Sequence, residues 1–171
     1  MILRMGRQSH GPGSTSGLMA DLVAYIDGGS RGKPGPAGIG VILEYPGGQR
    51  EEISRWIGPG DNNYAEYAAL LVALQFAAER ACRRLRVFSD SEVVVRQITG
   101  HYSCRNPLLR EIHSLCIALI SSFENFSITH IPREYNLHAD RLANAAIDRV
   151  HRRIKHRRHA RHLPHIHQRI F

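Results

Sequence analysis

Strand-like runs crowd the first sixty residues of this chain and helical periodicity takes over afterwards, an order that leaves few folds open. Residues 22–26 are a short apolar run that stops at Asp27 and a glycine- and proline-rich stretch, 28–36, so they read as a strand and then a loop. Residues 37–44 make a second strand. Tyr45-Pro46-Gly47-Gly48 is a turn signal, and 49–57 return with partial alternation, which gives an antiparallel meander. Beyond Asn62-Asn63, which offer a helix cap, residues 65–80 carry Ala69, Leu70, Ala73, Leu74 and Ala77 at helical spacing. Residues 84–89 form a compact strand, 91–99 a helix stopped by Gly100, and 106–122 a helix with Pro107 in its first turn. A last strand, 126–131, and a last helix, 136–150, follow. Three hairpin-linked strands and then βα crossovers predict an α/β domain, a mixed five-stranded sheet with three antiparallel and two parallel strands, flanked by helices.

With 171 residues and 43% apolar content the chain can bury one core, and nothing asks for a second domain. Cys82, Cys104 and Cys116 are odd in number and widely spaced, fitting neither a disulfide framework nor a zinc pattern, so a reducing, cytoplasmic setting is expected. No apolar run reaches the length of a spanning helix, which predicts no membrane partner. Residues 1–20 hold Arg4, Arg7, several serines and no acid, and are expected to be a disordered leader with the catalytic domain at 21–149. Residues 1–148 balance fifteen Lys and Arg against fifteen acids, so the formal charge of +8 resides entirely in 149–171 with its eight Lys and Arg and six histidines. That basic His/Arg-rich tail, 150–171, is either a solvated extension or an electrostatic arm for phosphate backbones.

Four acids stand at telling places. Asp27 and Asp90 each end a strand, and Glu66 and Asp140 each fall within about the first turn of a helix. Each also has a local explanation, as a turn former, a cap or a charge at a helix start. If the first and fourth strands are neighbours, however, all four side chains converge, and like charges at close range need a counter-charge. Hard oxygen ligands without a Cys/His set select Mg²⁺ or Mn²⁺. Two such ions about 3.5 to 4 Å apart are a recurrent device for phosphodiester displacement.

The segments from Asp27 to Gly38, from Asn62 to Glu66, from Phe88 to Ser91 and from Ile131 to Ala143 together resemble type 1 ribonuclease H in order and spacing, and the compact form is similar to its archaeal-like branch. The resemblance spans about residues 22–149 and implies the ribonuclease H-like fold. It implies further that Asp27 bridges two ions, that Asp140 helps hold the ion that activates water, and that Glu66 and Asp90 hold the other. The implied reaction is endonucleolytic cleavage of the RNA strand of an RNA/DNA hybrid to a 5′-phosphate and a 3′-hydroxyl, by a monomer.

Reading a hybrid means sensing 2′-hydroxyls. By resemblance, the backbone amides of Gly28, Gly29 and Ser30 meet the RNA strand, and Asn62 and Asn63 read the groove. Three departures follow. Glu92 stands where the family commonly has a groove-touching glutamine, and adds a negative charge beside the metals. Residues 99–106 leave no room for the basic protrusion of some relatives, a gap the C-terminal tail would fill. The loop before Asp140 is too short to align with the one that carries a catalytic histidine, which leaves His138 and Arg133 as stand-ins. Asn136 is expected to cap the last helix. Double-stranded RNA as a broader substrate, and a hybrid-binding module of weak turnover, are the alternatives.

Overall fold

The computed structural model describes residues 21–160, with side chains to Arg153. The leader, and the distal tail with its expected role, lie outside the described residues. The elements are β1 (Asp21–Ser30), β2 (Gly35–Glu44), β3 (Arg50–Gly60), α1 (Asn62–Glu79), β4 (Arg84–Ser89), α2 (Glu92–Ile98), α3 (Pro107–Ile120), β5 (Asn125–His130), a 3₁₀ turn over Arg133–Tyr135, and α4 (Leu137–Ala160). One sheet has the order β3-β2-β1-β4-β5. β1 runs antiparallel to β2 and β2 to β3, whereas β4 lies parallel to β1 and β5 parallel to β4. This is the ribonuclease H fold, with the three antiparallel and two parallel strands expected.

Boundaries differ where pairing or capping overrides composition. β1 does not stop at Asp27, because Gly28, Gly29 and Ser30 still pair with Ile39, Gly38 and Ala37. The cap of α1 is Asp61, whose carboxylate accepts from the Tyr64 amide at 2.7 Å, so Asn62 and Asn63 are first-turn residues rather than the cap. Asn106 caps α3 by accepting from the amides of Leu108 and Leu109. α4 continues ten residues past Val150, so the basic tail begins as helix.

Successive side chains on a strand alternate between faces, and the two faces are covered differently. Ala24, Ile26, Ile39, Val41, Leu43, Leu85 and Val87 pack into one core with Leu70, Ala73 and Leu74 of α1. α1 is apolar on nearly every side because it lies between the sheet and α3. α4 lies across β1, β2 and β3 on the opposite face. Its close seat depends on Gly40, where an added Cβ would fall 2.0 Å from the Ala139 carbonyl oxygen. No helix among the described residues is long and apolar enough to cross a membrane.

Candidate active site

Parallel pairing of β1 with β4 ends with Ile26 opposite Ser89, so the residues that follow each, Asp27 still within β1 and Asp90 just past β4, stand side by side. Clefts in such sheets form at these carboxyl ends. Glu66 arrives from α1, and Gly28 is what lets it in: a Cβ there would sit 2.1 Å from the carbonyl carbon of Ala65. The bare backbone instead approaches α1 closely enough for the Gly28 amide to donate to Glu66 Oε2 at 3.1 Å. Carboxylate oxygens of Asp27, Glu66 and Asp90 thereby lie within 4.8 Å of one another, the only group of three potential metal ligands that close among the described residues.

Asp140 lines the same cleft, which encloses about 480 Å³, but stands at its rim outside that trio. There Arg133 Nη2 donates to Asp140 Oδ1 at 2.7 Å. Three of the four predicted carboxylates are thus gathered directly, and the fourth is held beside them by an arginine.

The electrostatics follow from burial. Asp27 and Glu66 are each only 6% exposed. Desolvation, followed by repulsion from Asp90 and Asp140, pushes the Asp27 carboxyl up to about 7, while the Arg133 charge and the Gly28 amide pull the other way. Desolvation, then the charges of Asp27 and Asp90, carries Glu66 well above the usual carboxylate range. The donor set is all oxygen, crowded and short of positive charge, which fits hard divalent cations and no thiolate or imidazole metal site.

Asn136 holds this arrangement together and departs from its expected role. Only 2% exposed, it donates through Nδ2 both to the Ile26 carbonyl at 2.8 Å and to Asp90 Oδ1 at 2.7 Å. Its Oδ1 is buried with no partner, so the side chain does not cap α4; only its backbone carbonyl receives the Asp140 amide. Sequence reasoning missed this tie between Asp90 and β1, because the contact spans 46 residues on one side and 110 on the other.

The remaining predicted residues divide. Gly28, Gly29, Ser30, Asn62, Glu92 and Arg133 line the cleft, and Asn63 and His138 do not. Two of the three amides at the end of β1 expected to face a ligand already have acceptors: that of Gly28 gives to Glu66, and that of Ser30 to Asn62 Oδ1 at 3.2 Å. Glu92 is paired at 2.7 Å with Arg96, one helical turn on, which offsets the charge expected to burden the cleft. His138 Nε2 meets Glu52 Oε1 of β3 at 3.0 Å, which removes it as a stand-in for the missing histidine. Arg133 is the one that reaches the cleft.

Fold and cleft together define a nuclease-like sheet domain with an acidic centre. Residues 25–146 match a family model described as reverse transcriptase-like. Ribonuclease HI of Halobacterium salinarum is 43% identical over 126 residues, covering 73% of this chain and 63% of that protein. A bifunctional protein of Mycobacterium tuberculosis is 37% identical over 129 residues, 74% of this chain and 35% of the relative, so this chain spans less than two thirds of either length. The crystal structure of RNase H1 from the same Halobacterium superposes with a TM-score of 0.72 at 41% identity, covering 75% of this chain and 98% of that one. LC11-RNase H1 in complex with an RNA/DNA hybrid gives a TM-score of 0.69 at 40% identity, with coverage of 75% and 98%. The chain belongs to the type 1 ribonuclease H family.

Proposed function

We propose that this chain is an endoribonuclease that hydrolyses the RNA strand of RNA/DNA hybrids, with two divalent ions, Mg²⁺ or Mn²⁺, leaving 5′-phosphate and 3′-hydroxyl ends. The observation that carries the reading is the convergence of Asp27, Glu66 and Asp90 within 4.8 Å where the parallel pairing of β1 and β4 ends. A relative of 40% identity that covers three quarters of this chain binds such a hybrid, which supports the substrate.

Asp27, Glu66 and Asp90 would hold the ions, and Asp140 would add a fourth carboxylate at the rim. Bound there, the ions supply Lewis-acid activation of water and of the leaving oxygen. The protein's own part is positioning. Gly28 sets Glu66, Asn136 fixes Asp90, and burial of Asp27 and Glu66 leaves them with a strong demand for positive charge. Arg133, held above its usual basicity first by its hydrogen bond to Asp140, is too basic to yield a proton, so its contribution near the reacting phosphate is electrostatic. Asn62 and the end of β1 from Gly28 to Ser30 form the wall against which the RNA strand lies. Residues 21–149 would be the catalytic domain.

The test is cleavage of an end-labelled hybrid with Mg²⁺ and with Mn²⁺, beside double-stranded RNA and double-stranded DNA. Wild type should cut the hybrid's RNA strand, and Asp27→Asn should lose roughly a thousandfold or more of that activity. Full activity in the variant would end the nuclease reading, and equal cleavage of double-stranded RNA would widen the substrate.

A further inference from the structure

The acidic cleft does not end at Asp140. Along α4 the residues facing it continue at helical spacing as Asn144 and Ile147, and the cleft is also lined by Arg31, just past the end of β1. Arg31 also lines a second, adjoining cavity with Asp148, His151 and Arg152. The two hollows therefore share one wall residue, Arg31, and follow one another as a track along α4. Polarity reverses along that track, from carboxylates at one end to cations at the other.

The second hollow is organised around Asp148. Arg31 Nη2 bonds its Oδ1 at 2.6 Å, and Asp148 is held below its ordinary range by that hydrogen bond first and then by the charges of Arg31, Arg152 and His151. Asp148 is the last acid in the chain, and α4 goes on through Arg149, Arg152 and Arg153, with Lys155, Arg157 and Arg158 following before Ala160. One carboxylate thus anchors Arg31 beside the end of a helix that brings only positive charge. The protein body, by contrast, carries no net formal charge, and α2 is separated from α3 by a link too short for a basic protrusion.

We infer that Arg31, His151 and Arg152 form a phosphate-backbone subsite for the hybrid, laid out along α4 from the cleft, and this deepens the nuclease reading on which it rests. Twelve residues of helix separate Asp140 from Arg152, about 18 Å at 1.5 Å per residue. At about 3.4 Å of axis per nucleotide, that distance puts the contacts roughly five nucleotides from the scissile phosphate. Arginine suits the task because its fork grips phosphate oxygens in two places. An acidic peptide would satisfy the charges as well, but not the continuity with a cleft that receives a phosphodiester.

The experiment measures hybrid binding by fluorescence anisotropy between about 50 and 200 mM salt, using the full chain in an Asp27→Asn background so that nothing is cut. The double variant His151→Gln, Arg152→Gln should weaken binding about tenfold and flatten the plot of log affinity against log salt by about 0.7 to 1.8, one to two phosphate contacts. Arg153→Gln is the control. It removes an equal charge one turn beyond Arg149, which is bonded to Ser54 on the β3 side of the same helix, and should leave the slope unchanged. Hybrids trimmed to fewer than about five pairs on one side of the cut should lose the difference between wild type and double variant. An unchanged slope in the double variant, or equal flattening by Arg153→Gln, would overturn the subsite. Cleavage by the chain without Asp27→Asn is scored separately: a cut hybrid with no dependence on the cluster sinks only the subsite, and cluster-dependent binding without any cut sinks only the nuclease.

Discussion

Asp27 and Asp140 line one cleft yet are held in opposite ways. Asp27 is buried on a strand, fixed by backbone pairing and by a neighbouring amide, and its carboxyl is pushed up to about 7. Asp140 stands at the cleft's rim on the first turn of a helix, its charge answered by a mobile kind of partner, the Arg133 side chain, itself largely exposed. The difference teaches that the site has a rigid half, made of main chain and close packing, and an adjustable half, made of one long side chain. Positive charge is lacking in the first and already present in the second.

The rigid half is broken most severely at Gly28. Gly28→Ala drives a methyl into the backbone of Ala65, so Glu66 must retreat; we expect loss of hybrid cleavage by about a hundredfold or more and destabilisation of roughly 1–3 kcal/mol, read by initial rates and thermal melts. A methyl tolerated without loss of either would mean that α1 is not seated as described.

Next in size is a pH effect in metal-free protein. Because the folded Asp27 pKa lies above its ordinary 3.8, the stability it contributes is present below about pH 4 and is lost as pH climbs through about 7. Melting temperature in a chelator should therefore fall over that window, Asp27→Asn should flatten the fall, and Mg²⁺ should restore stability at the alkaline end. Superimposable profiles for wild type and variant would refute the claim.

Asn136→Ala tests the link between the halves. It frees Asp90 and leaves the Ile26 carbonyl buried without its donor, and should lower ion affinity or turnover by about 10- to 100-fold. Calorimetric titration with Mn²⁺ reads this without reference to activity. Smallest are the changes in the adjustable half. Arg133→Gln should cost no more than about 1 kcal/mol of stability, since the pair it removes is partly solvated, while slowing turnover. His138→Ala should leave turnover as it was, which separates the two residues cleanly.

Much of this site was written in local pattern. The order of strands and helices follows from periodicity, and acids placed at strand ends and helix starts needed only the parallel pairing of β1 and β4 to meet. His138 was excludable from the same source: residues two apart on a helix point to opposite sides, so it cannot share the cleft with Asp140. The Glu92–Arg96 pair is likewise a one-turn spacing. What local pattern does not carry is close approach. Gly28 and Gly40 read as loop or strand glycines until a helix is laid against them. The cap of α1 shifted from Asn62 to Asp61 because neighbouring residues of equal capping chemistry differ only in the backbone geometry that the fold imposes.

The seat of α4 on β2 has a consequence for how this enzyme class tolerates change. With Gly38 and Gly40 beneath Ala139 and Ala143, main chain rests almost on main chain, flanked closely by the side-chain carbons of Leu142, Ala146 and Ile147, and the helix has little room to slide. The address of Asp140 is thus set from below, by the sheet, and not by the stretch of chain that delivers it. Insertions or deletions within residues 131–135 should lengthen or shorten an approach road while the destination stays where it is.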